Sequence, residues 1–388
     1  MLILTYPWVE SLSDTLNGKK ILFLVTEAGY FLSHRLALAK ALQQQGAFVA
    51  VITASLADSI EGISTIHFSW KRKGMNPLQE GLALLRLMRL LHREKPDYLL
   101  NIALKPVLYG SIAALFLPET RCVNFITGLG YLFTENTWKT LSFRKILLMA
   151  LRFLLRSTCV ITQNTDDYAL FQSLPHLFLI LGSGVDCTRF KPSPEHDGIC
   201  TVILPARMLW HKGVKEFAEA ARLLKAEGVE ARFWLVGSVD TQNPAAIPIE
   251  TLRSWTQLGN VVWKNEQEDM ASVFSAAHIV CLPSYYREGI PKALLEAAAC
   301  GRPIVTTDSV GCREVVHHQE NGLLVPPRTV YPLANALRQL IRNPELRQKM
   351  GRRGRERAER EFVQEKICAE TIDVISSFSQ GTSSSSAL

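Results

Sequence analysis

Apolar runs and amphipathic segments alternate along almost the whole of this chain. Runs such as residues 21–26 (ILFLVT) predict buried strands, and the segments after them repeat apolar positions at a helical period. Further strands are predicted at residues 47–53, 97–103, 122–127, 158–163, 200–205, 231–236, 261–263, 279–282 and 304–306. Helices are predicted, among others, at residues 31–45, 78–93, 106–116, 138–156, 214–227, 270–276 and 292–300. This regular alternation predicts an α/β protein with doubly wound parallel sheets.

The alternation is interrupted at residues 182–194, where glycine, proline and serine accumulate. Such a stretch predicts a linker between two domains. We therefore expect an N-terminal extension at 1–18, a Rossmann-like domain at 19–182 and a second one at 183–365. Residues 366–388 form a C-terminal helix, free to pack back on the first domain, and a polar tail.

Composition narrows the class of protein. The chain has 388 residues, of which 47% are hydrophobic and 20% charged, as in a globular protein of two domains. A net charge of +7 favours an anionic partner, and the absence of interleaved aromatic and basic residues argues against nucleic acid. Eight cysteines without a C-x-x-C pair indicate reduced thiols. With no secretory signal and no membrane-spanning apolar run, we expect a cytoplasmic protein.

Residues 282–301 (LPSYYREGIPKALLEAAACG) combine two carboxylates with a helix start. Glu288 and Glu296 stand eight positions apart. A helix is predicted to begin between them and to contain Glu296, and Pro291 suits its first position. The amide groups of Gly289 and Ile290 are expected to point out of this helix end as an anion site. Two hydrogen-bond acceptors beside an anion site suit a ligand that carries both hydroxyls and phosphates.

Two basic residues follow the predicted strand 200–205. Arg207 and Lys212 lie where ligands bind in open α/β sheets, beyond the carboxyl end of a strand. They are interpreted as a clamp for a diphosphate, and the alternative is a pair of solvated loop charges. Glu296 lies in an apolar helix that should be buried, so its carboxylate needs partners, which ribose hydroxyls can supply.

An ordered set of motifs in this half resembles the donor-binding half of family 4 retaining glycosyltransferases. The motifs are Arg207 with Lys212-Gly213, Pro283-Ser284, Glu288-Gly289-Ile290-Pro291, Glu296-Ala297, Cys300-Gly301-Arg302-Pro303-Ile304-Val305 and Asn321-Gly322-Leu323-Leu324-Val325. The resemblance implies the GT-B architecture, two Rossmann-like domains facing across a cleft. It also implies that the arginine and lysine hold the diphosphate, Glu288 contacts the donor sugar and Glu296 holds the ribose. Family members commonly have a glycine near the nucleotide base, and this chain has Lys264-Asn265 at that place. The resemblance therefore leaves open whether the base of the donor is uracil or guanine.

The first half resembles a subgroup that builds bacterial surface glycans on a lipid diphosphate. The residues that carry this resemblance are Lys105-Pro106, Tyr109-Gly110-Ser111 and Thr127-Gly128-Leu129-Gly130-Tyr131. The alternative for Lys105 is a surface lysine at the start of a helix. The alternative for Gly128 and Gly130 is a plain tight turn. Gly29 stands alone where family members often carry two glycines, and His34 is either a structural residue or a group near the acceptor hydroxyl.

The predicted helix 139–156 alternates apolar and basic residues. A basic amphipathic helix can lie in a membrane interface, and the alternative is a core-facing helix with a cationic outer side. Together with the lipid-linked subgroup, this pattern favours peripheral contact with the inner leaflet.

The function expected from the sequence is a retaining glycosyltransferase. It would move a sugar from a nucleotide sugar, with UDP favoured over GDP, to a glycan on a polyprenyl diphosphate. Catalytic candidates are Glu288, Arg207, Lys212 and His34; substrate-binding candidates are Glu296, Gly289, Ile290, Pro291, Gly29, Lys105, Thr127 and Gly128. No metal or cofactor beyond the nucleotide-sugar co-substrate is expected. The alternatives are a sugar-nucleotide 2-epimerase and a non-catalytic protein that binds membranes or polyanions.

Overall fold

A computed structural model describes residues 16–54, 59–69, 76–130, 138–241 and 243–381. The chain forms two compact units. The N-terminal unit has two segments, one that ends at Ser183 and a second that begins at Glu365. The C-terminal unit is Gly184–Gln364. Most of the predicted extension (1–15) and of the predicted polar tail (382–388) lies outside the described residues.

The N-terminal unit is built around one twisted sheet. Its strands are β1 (Lys20–Leu24), β2 (Phe48–Thr53), β3 (Ser59–Ile60), β4 (Ile63–His67), β5 (Tyr98–Ile102), β6 (Arg121–Ile126), β7 (Cys159–Thr162) and β8 (Leu177–Leu179). Among the described residues these eight strands lie in the order β3-β4-β2-β1-β5-β6-β7-β8. Each pair is parallel except the short β3–β4 pair.

Helices cover both faces of this sheet. They are α1 (Ala28–His34), α2 (Leu36–Gln44), α3 (Pro77–Glu94), α4 (Leu104–Ala114), α5 (Trp138–Leu154) and α6 (Thr165–Phe171). Alternate residues of β1 belong to different cores, because successive side chains of a strand point to opposite faces. Ile21 and Phe23 pack in one core with α2, whereas Leu22 and Leu24 pack in another with α3 and α4.

The structure corrects one predicted helix. The amphipathic segment 31–45 was predicted as a single helix, but α1 begins earlier and the helix breaks at Arg35, whose φ and ψ are −129° and −10°. The Arg35 side chain is 3% exposed, and its guanidinium lies 4.5 Å from the centre of the Phe125 ring. Periodicity could not show the break, because a polar residue in a helical pattern predicts an exposed position, whereas Arg35 is buried against Phe125 of the distant strand β6.

The C-terminal unit has a second sheet that is parallel throughout. Its strands are β9 (Thr201–Pro205), β10 (Arg232–Val236), β11 (Val262–Lys264), β12 (Ile279–Leu282), β13 (Ile304–Thr307) and β14 (Gly322–Val325). Its helices are α7 (Val214–Ala226), α8 (Ile249–Gln257), α9 (Met270–Ser275), α10 (Lys292–Ala299), α11 (Cys312–Val315), α12 (Val330–Arg342) and α13 (Pro344–Glu361). The strand order is β11-β10-β9-β12-β13-β14, that of a doubly wound Rossmann-type sheet.

The last helix, α14 (Gln364–Gly381), joins the core of the N-terminal unit. Ile367, Ile372 and Ile375 are buried in the same cluster as β1 and α2. The chain therefore enters the C-terminal unit near Gly184 and leaves it near Gln364, and these two segments touch. A Cβ added at Gly184, whose φ is +77°, would come within 2.6 Å of the Gln364 Cα.

Candidate functional site

The candidate site of the C-terminal unit lies where its strand order reverses. β9 and β12 are neighbours in the sheet, but their connections run in opposite directions, so the loops after them diverge and leave a crevice. The loop after β9 carries Arg207 and Lys212, and the loop after β12 carries Glu288. The predicted residues of the two segments are thus brought to one edge of one sheet.

Lys212 and Glu288 form an ion pair across this crevice. The Lys212 Nζ lies 2.7 Å from Oε1 and 2.6 Å from Oε2 of Glu288, and the two side chains are 13% and 20% exposed. The lysine ends a 3-10 turn, Trp210–Lys212, and Gly213 follows with φ +76°. A Cβ on Gly213 would come within 2.2 Å of the Pro283 carbonyl oxygen, so the glycine lets the two loops meet.

The Glu288 carboxylate is also held by its own loop. The buried hydroxyl of Ser284 donates to Oε1 at 3.1 Å. The Ser284 carbonyl in turn accepts from the hydroxyls of Thr307 and Ser309, the latter at 2.9 Å. Thr307 and Ser309 were not predicted from the sequence; the signal there is a run of polar residues, 306–309, at the end of β13 and directly after it.

Gly311 is a further residue that sequence analysis missed. Its φ is +80°, and a Cβ there would lie 1.7 Å from the Gly289 carbonyl oxygen and 3.0 Å from that of Glu288. The backbone of the Glu288–Gly289 turn therefore rests directly on Gly311. Only a residue without a side chain allows this contact.

Arg207 lies at the rim of the same crevice. Its Nη1 forms an ion pair of 2.9 Å with Oδ2 of Asp240, a residue after β10, and its side chain is 49% exposed. Arg207 is thus the more solvated of the two predicted clamp residues.

The start of α10 differs slightly from the prediction. Pro291 was expected at the first helical position, but it is the N-cap, with φ −63° and ψ 118°, and the helix begins at Lys292. The proline ring sets φ while an extended ψ turns the chain into the helix. The amides of Gly289 and Ile290 donate to no backbone carbonyl of the described residues. They precede the positive end of the helix dipole.

Glu296 is buried beside a lysine one turn earlier. Its side chain is 14% exposed, and Oε1 lies 3.9 Å from the Nζ of Lys292. Burial raises the pKa of Glu296 to about 7, although Lys292 and Arg189 oppose the shift. Burial lowers the pKa of Lys292, against the pull of Glu296. The carboxyl group can therefore change its charge near neutral pH.

His211 lies between the two loops. Its ring stacks on Tyr286, with centroids 4.3 Å apart, and its backbone carbonyl accepts from the Tyr285 amide at 3.0 Å. Burial lowers the pKa of His211 to about 4, and the charge of Lys212 adds to this effect. The imidazole is therefore neutral at physiological pH and contributes packing rather than charge.

The other predicted residues lie in the N-terminal unit, after the carboxyl ends of β1, β5 and β6. His34 is the last residue of α1; its ring stacks on Tyr30 at 4.2 Å, and its Nδ1 is 2.7 Å from the Ser33 hydroxyl. A Cβ at Gly29 would meet no atom within 4 Å. Gly29 is therefore not required by close packing in the described chain.

Lys105 is the second residue of α4 and pairs with a carboxylate of α3. Its Nζ lies 3.0 Å from Oε2 of Glu80, which also accepts from the Tyr109 hydroxyl. Burial favours the neutral acid, but hydrogen bonds from Tyr109 and Lys105 outweigh it and lower the pKa of Glu80. Thr127 and Gly128 follow β6, and Gly128 has φ +111°. Tyr131, the last residue of that motif, lies outside the described residues.

Comparison with known proteins agrees with this architecture. Two family models match the chain in succession: "Glycosyl transferase 4-like" over residues 20–164 and "Glycosyl transferases group 1" over residues 188–357. The crystal structure of Anabaena Alr3699/HepE in complex with UDP-glucose has a TM-score of 0.73 to this chain at 19% identity, covering 92% of this chain and 100% of that one.

Two curated relatives are named for their reactions. One is the N,N'-diacetylbacillosaminyl-diphospho-undecaprenol alpha-1,3-N-acetylgalactosaminyltransferase of Campylobacter jejuni, 28% identical over 348 residues, or 83% of this chain and 90% of that protein. The other is the UDP-Gal:alpha-D-GlcNAc-diphosphoundecaprenol alpha-1,3-galactosyltransferase of Escherichia coli, 24% identical over 282 residues, or 68% of this chain and 71% of that protein.

Two doubly wound parallel-sheet units in one chain, with the matching family models, define a glycosyltransferase of the GT-B fold class. The chain belongs to the family 4 type of these enzymes. The predictions of fold class, family and enzyme activity are thereby confirmed. Neither relative named above supports the epimerase or the non-catalytic alternative.

Proposed function

We propose that this enzyme transfers a sugar, with retention of anomeric configuration, from a UDP-sugar to a hydroxyl of a lipid-diphosphate-linked glycan. The product would serve the synthesis of a bacterial surface polysaccharide or glycoconjugate. One observation carries the donor half of the proposal: the Lys212–Glu288 ion pair, with distances of 2.6 and 2.7 Å, lies at the reversal of the strand order. It places a cation and a carboxylate together where nucleotides bind in such sheets.

The donor diphosphate would bind among three sources of positive charge. These are the ammonium of Lys212, the guanidinium of Arg207 and the N-terminal end of α10 with the amides of Gly289 and Ile290. A helix end carries roughly half an elementary charge. In a half-buried crevice these charges act more strongly than in water.

The reaction needs no group beyond the two substrates and these charges. The bond from the anomeric carbon to the phosphate oxygen breaks, and its electron pair stays on the nucleoside diphosphate. The acceptor oxygen bonds to the same face of the sugar, and its proton passes to the departing phosphate. Lys212 and Arg207 stabilise the negative charge that develops on the phosphate. Glu288 orients the sugar, since Lys212 and Ser284 hold its carboxylate in place.

Glu296 would hold the ribose. A buried carboxyl group with a pKa of about 7 can accept hydrogen bonds from ribose hydroxyls at neutral pH. Pro291 is the N-cap of α10, so Glu296 lies in the second turn of the helix whose free end would bind the diphosphate. Uracil is favoured as the base because one relative is named for UDP-Gal and a structural neighbour was crystallised with UDP-glucose.

The acceptor would bind to the N-terminal unit. His34, Gly29, Lys105, Thr127 and Gly128 all follow the carboxyl ends of its strands, the edge at which open sheets bind ligands. Both curated relatives are named for acceptors on a diphospho-undecaprenol carrier. The proposal includes a reaction at the cytoplasmic face of the inner membrane and peripheral contact of the enzyme with that membrane.

A donor screen tests the proposal. Purified full-length enzyme is given single nucleotide sugars with a membrane lipid extract, and the release of UDP or GDP is measured. We expect UDP from one sugar, dependence on the extract, and loss of release in Lys212→Met but not in Lys215→Met. Lys215 is a matched control because its side chain is 56% exposed on α7 and pairs with Glu219. No release with any nucleotide sugar would refute a transferase, and equal release without the extract would refute the lipid-linked acceptor.

A further inference from the structure

Among the described residues, more than half of the exposed large apolar side chains lie on or just after three helices of the N-terminal unit. They are Leu78, Leu82 and Leu85 on α3, Leu115 and Phe116 just after α4, and Ile146, Met149 and Phe153 on α5. Single exposed apolar residues are ordinary, but a concentration of them on neighbouring elements indicates an interaction surface.

On α5 the exposed apolar residues form one stripe. Ile146, Met149 and Phe153 are spaced three and four positions apart, and they are 61%, 68% and 83% exposed. Lys145, next to Ile146 in the helix, and Arg156, two residues after the end of the helix, are also exposed. The sequence of α5 contains no acidic residue.

The opposite side of α5 faces the core, where Leu151 and, just after the helix, Leu155 are fully buried. The exposed stripe is therefore not a core-facing surface of the N-terminal unit. The sequence alone had left open whether the apolar residues of this helix face the core or a membrane, and the helix has enough of them for both sides.

The exposed side of α3 repeats this combination along its length. Leu78, Leu82 and Leu85 are 78%, 53% and 48% exposed, and the same side continues with the exposed Arg86 and Arg89. The two acidic residues of α3 are already paired, Glu80 with Lys105 and Glu94 with Lys20. The outer side of α3 therefore carries an excess of positive charge next to its apolar stripe.

These helices cover the same face of the sheet. α3 and α4 share a core with Leu22 and Leu24 of β1, and α4 and α5 share the adjoining core with Val160 of β7. α1, α2 and α14 cover the other face. The outer sides of α3, α4 and α5, here called the α3–α5 face, thus form one continuous side of the N-terminal unit. No helix of the described chain is long and apolar enough to cross a bilayer.

We propose that the α3–α5 face docks on an anionic lipid bilayer, with its apolar side chains in the interface and its basic residues on the headgroups. Charge complementarity selects this partner, because exposed apolar stripes lie beside exposed basic residues on both α3 and α5. This inference deepens the proposed function, since it gives the membrane contact of the proposed lipid-linked transferase a surface and a lipid preference.

Sedimentation of full-length enzyme with phosphatidylcholine vesicles, with and without phosphatidylglycerol, tests the inference without any sugar transfer. We expect binding only with the anionic lipid. Met149→Ser with Phe153→Ser should weaken binding about tenfold for each side chain removed. The matched control is Leu258→Ser with Tyr331→Ser, two residues of the C-terminal unit that are 72% and 73% exposed. This control should bind as the unaltered enzyme does.

A second pair of variants tests the charge. Lys145→Glu with Arg156→Glu should weaken binding to anionic vesicles by about fivefold or more for each charge. Arg253→Glu with Arg353→Glu changes two exposed basic residues of the C-terminal unit by the same amount and should have a much smaller effect. Circular dichroism checks that the variants fold.

Three results would overturn the inference: no binding to anionic vesicles, equal binding to neutral ones, or equal losses in variants and controls. A concentration-dependent dimer that disappears in the Met149 and Phe153 variant, without vesicle binding, would identify the face as a subunit interface instead. An enzyme that transfers sugar but ignores vesicles refutes this docking surface alone. One that binds vesicles but releases no nucleotide refutes the proposed reaction alone.

Discussion

Gly311→Ala should lower activity strongly, although Gly311 itself supplies no group to the proposed chemistry. The new Cβ would lie 1.7 Å from the Gly289 carbonyl oxygen and 3.0 Å from that of Glu288. Both atoms belong to the backbone, so the Glu288–Gly289 turn must move by more than an ångström. A displacement of that size at a catalytic group costs about a hundredfold in rate, or about 2.7 kcal/mol.

Part of the effect of Gly311→Ala on stability comes from backbone strain rather than from the collision. A matched control variant separates the two causes. An alanine in the left-handed region costs about 1–2 kcal/mol of stability. Gly228 has φ +74°, close to the +80° of Gly311, but a Cβ there would meet no atom within 4 Å. Gly228→Ala therefore carries the strain without the collision.

The two variants are compared by urea unfolding and by kcat/KM for release of UDP. Both should lose stability from the positive φ, with a further loss in Gly311→Ala, and only Gly311→Ala should lose activity at temperatures where both are folded. If the two variants keep equal activity, the Glu288 turn does not depend on its contact with Gly311, and the reasoning is refuted.

Three further predictions concern the charged residues of the site. Lys212→Met should lower kcat/KM by about 10²–10³-fold, as expected when one charge-stabilising group is removed. The control variant Lys215→Met should leave kcat/KM unchanged. Equal effects of the two variants would contradict the role of the ion pair. Glu296→Ala should raise the KM for the donor more than it lowers kcat, and Glu288→Ala should do the reverse; similar effects in both would contradict the division of roles. Because burial raises the pKa of Glu296 from 4.5 to about 7, the folded chain keeps a proton that the unfolded chain loses, and stability should fall as pH rises between these values. Glu296→Gln should flatten that fall in urea unfolding, and an unchanged slope would contradict the assigned pKa.

The sequence predicted most of the long strands of both sheets, and it showed the site motifs in the order typical of the family. Apolar runs with helical segments between them predicted most of the long strands, because strands of parallel sheets are buried on both faces and therefore lack polar interruptions. The short strands β3, β4, β8 and β14 were not predicted. β4 (ISTIH), next to one edge of its sheet, and β8 (LFL), at the other edge, are only partly buried, so their apolar pattern is weak.

Contacts between residues far apart in the chain could not be predicted from the sequence. Lys212 and Glu288 were both chosen as site residues, yet nothing in their motifs shows that they bond to each other across 76 positions. The partner of Arg207, Asp240, was not considered at all. The importance of Gly311 likewise depends on which loop lies against it, and a glycine after a strand predicts only a turn.

The proposed cations of the donor site each have a carboxylate partner in this structure. Lys212 pairs with Glu288, and Arg207 pairs with Asp240. A bound diphosphate would compete with these carboxylates, so a singly charged anion gains little by replacing them, whereas two linked phosphates can engage both cations and the end of α10 together. Pairing therefore favours a nucleoside diphosphate over smaller anions. It also keeps Lys212 from being a buried uncompensated charge, which would cost several kcal/mol, when no donor is bound.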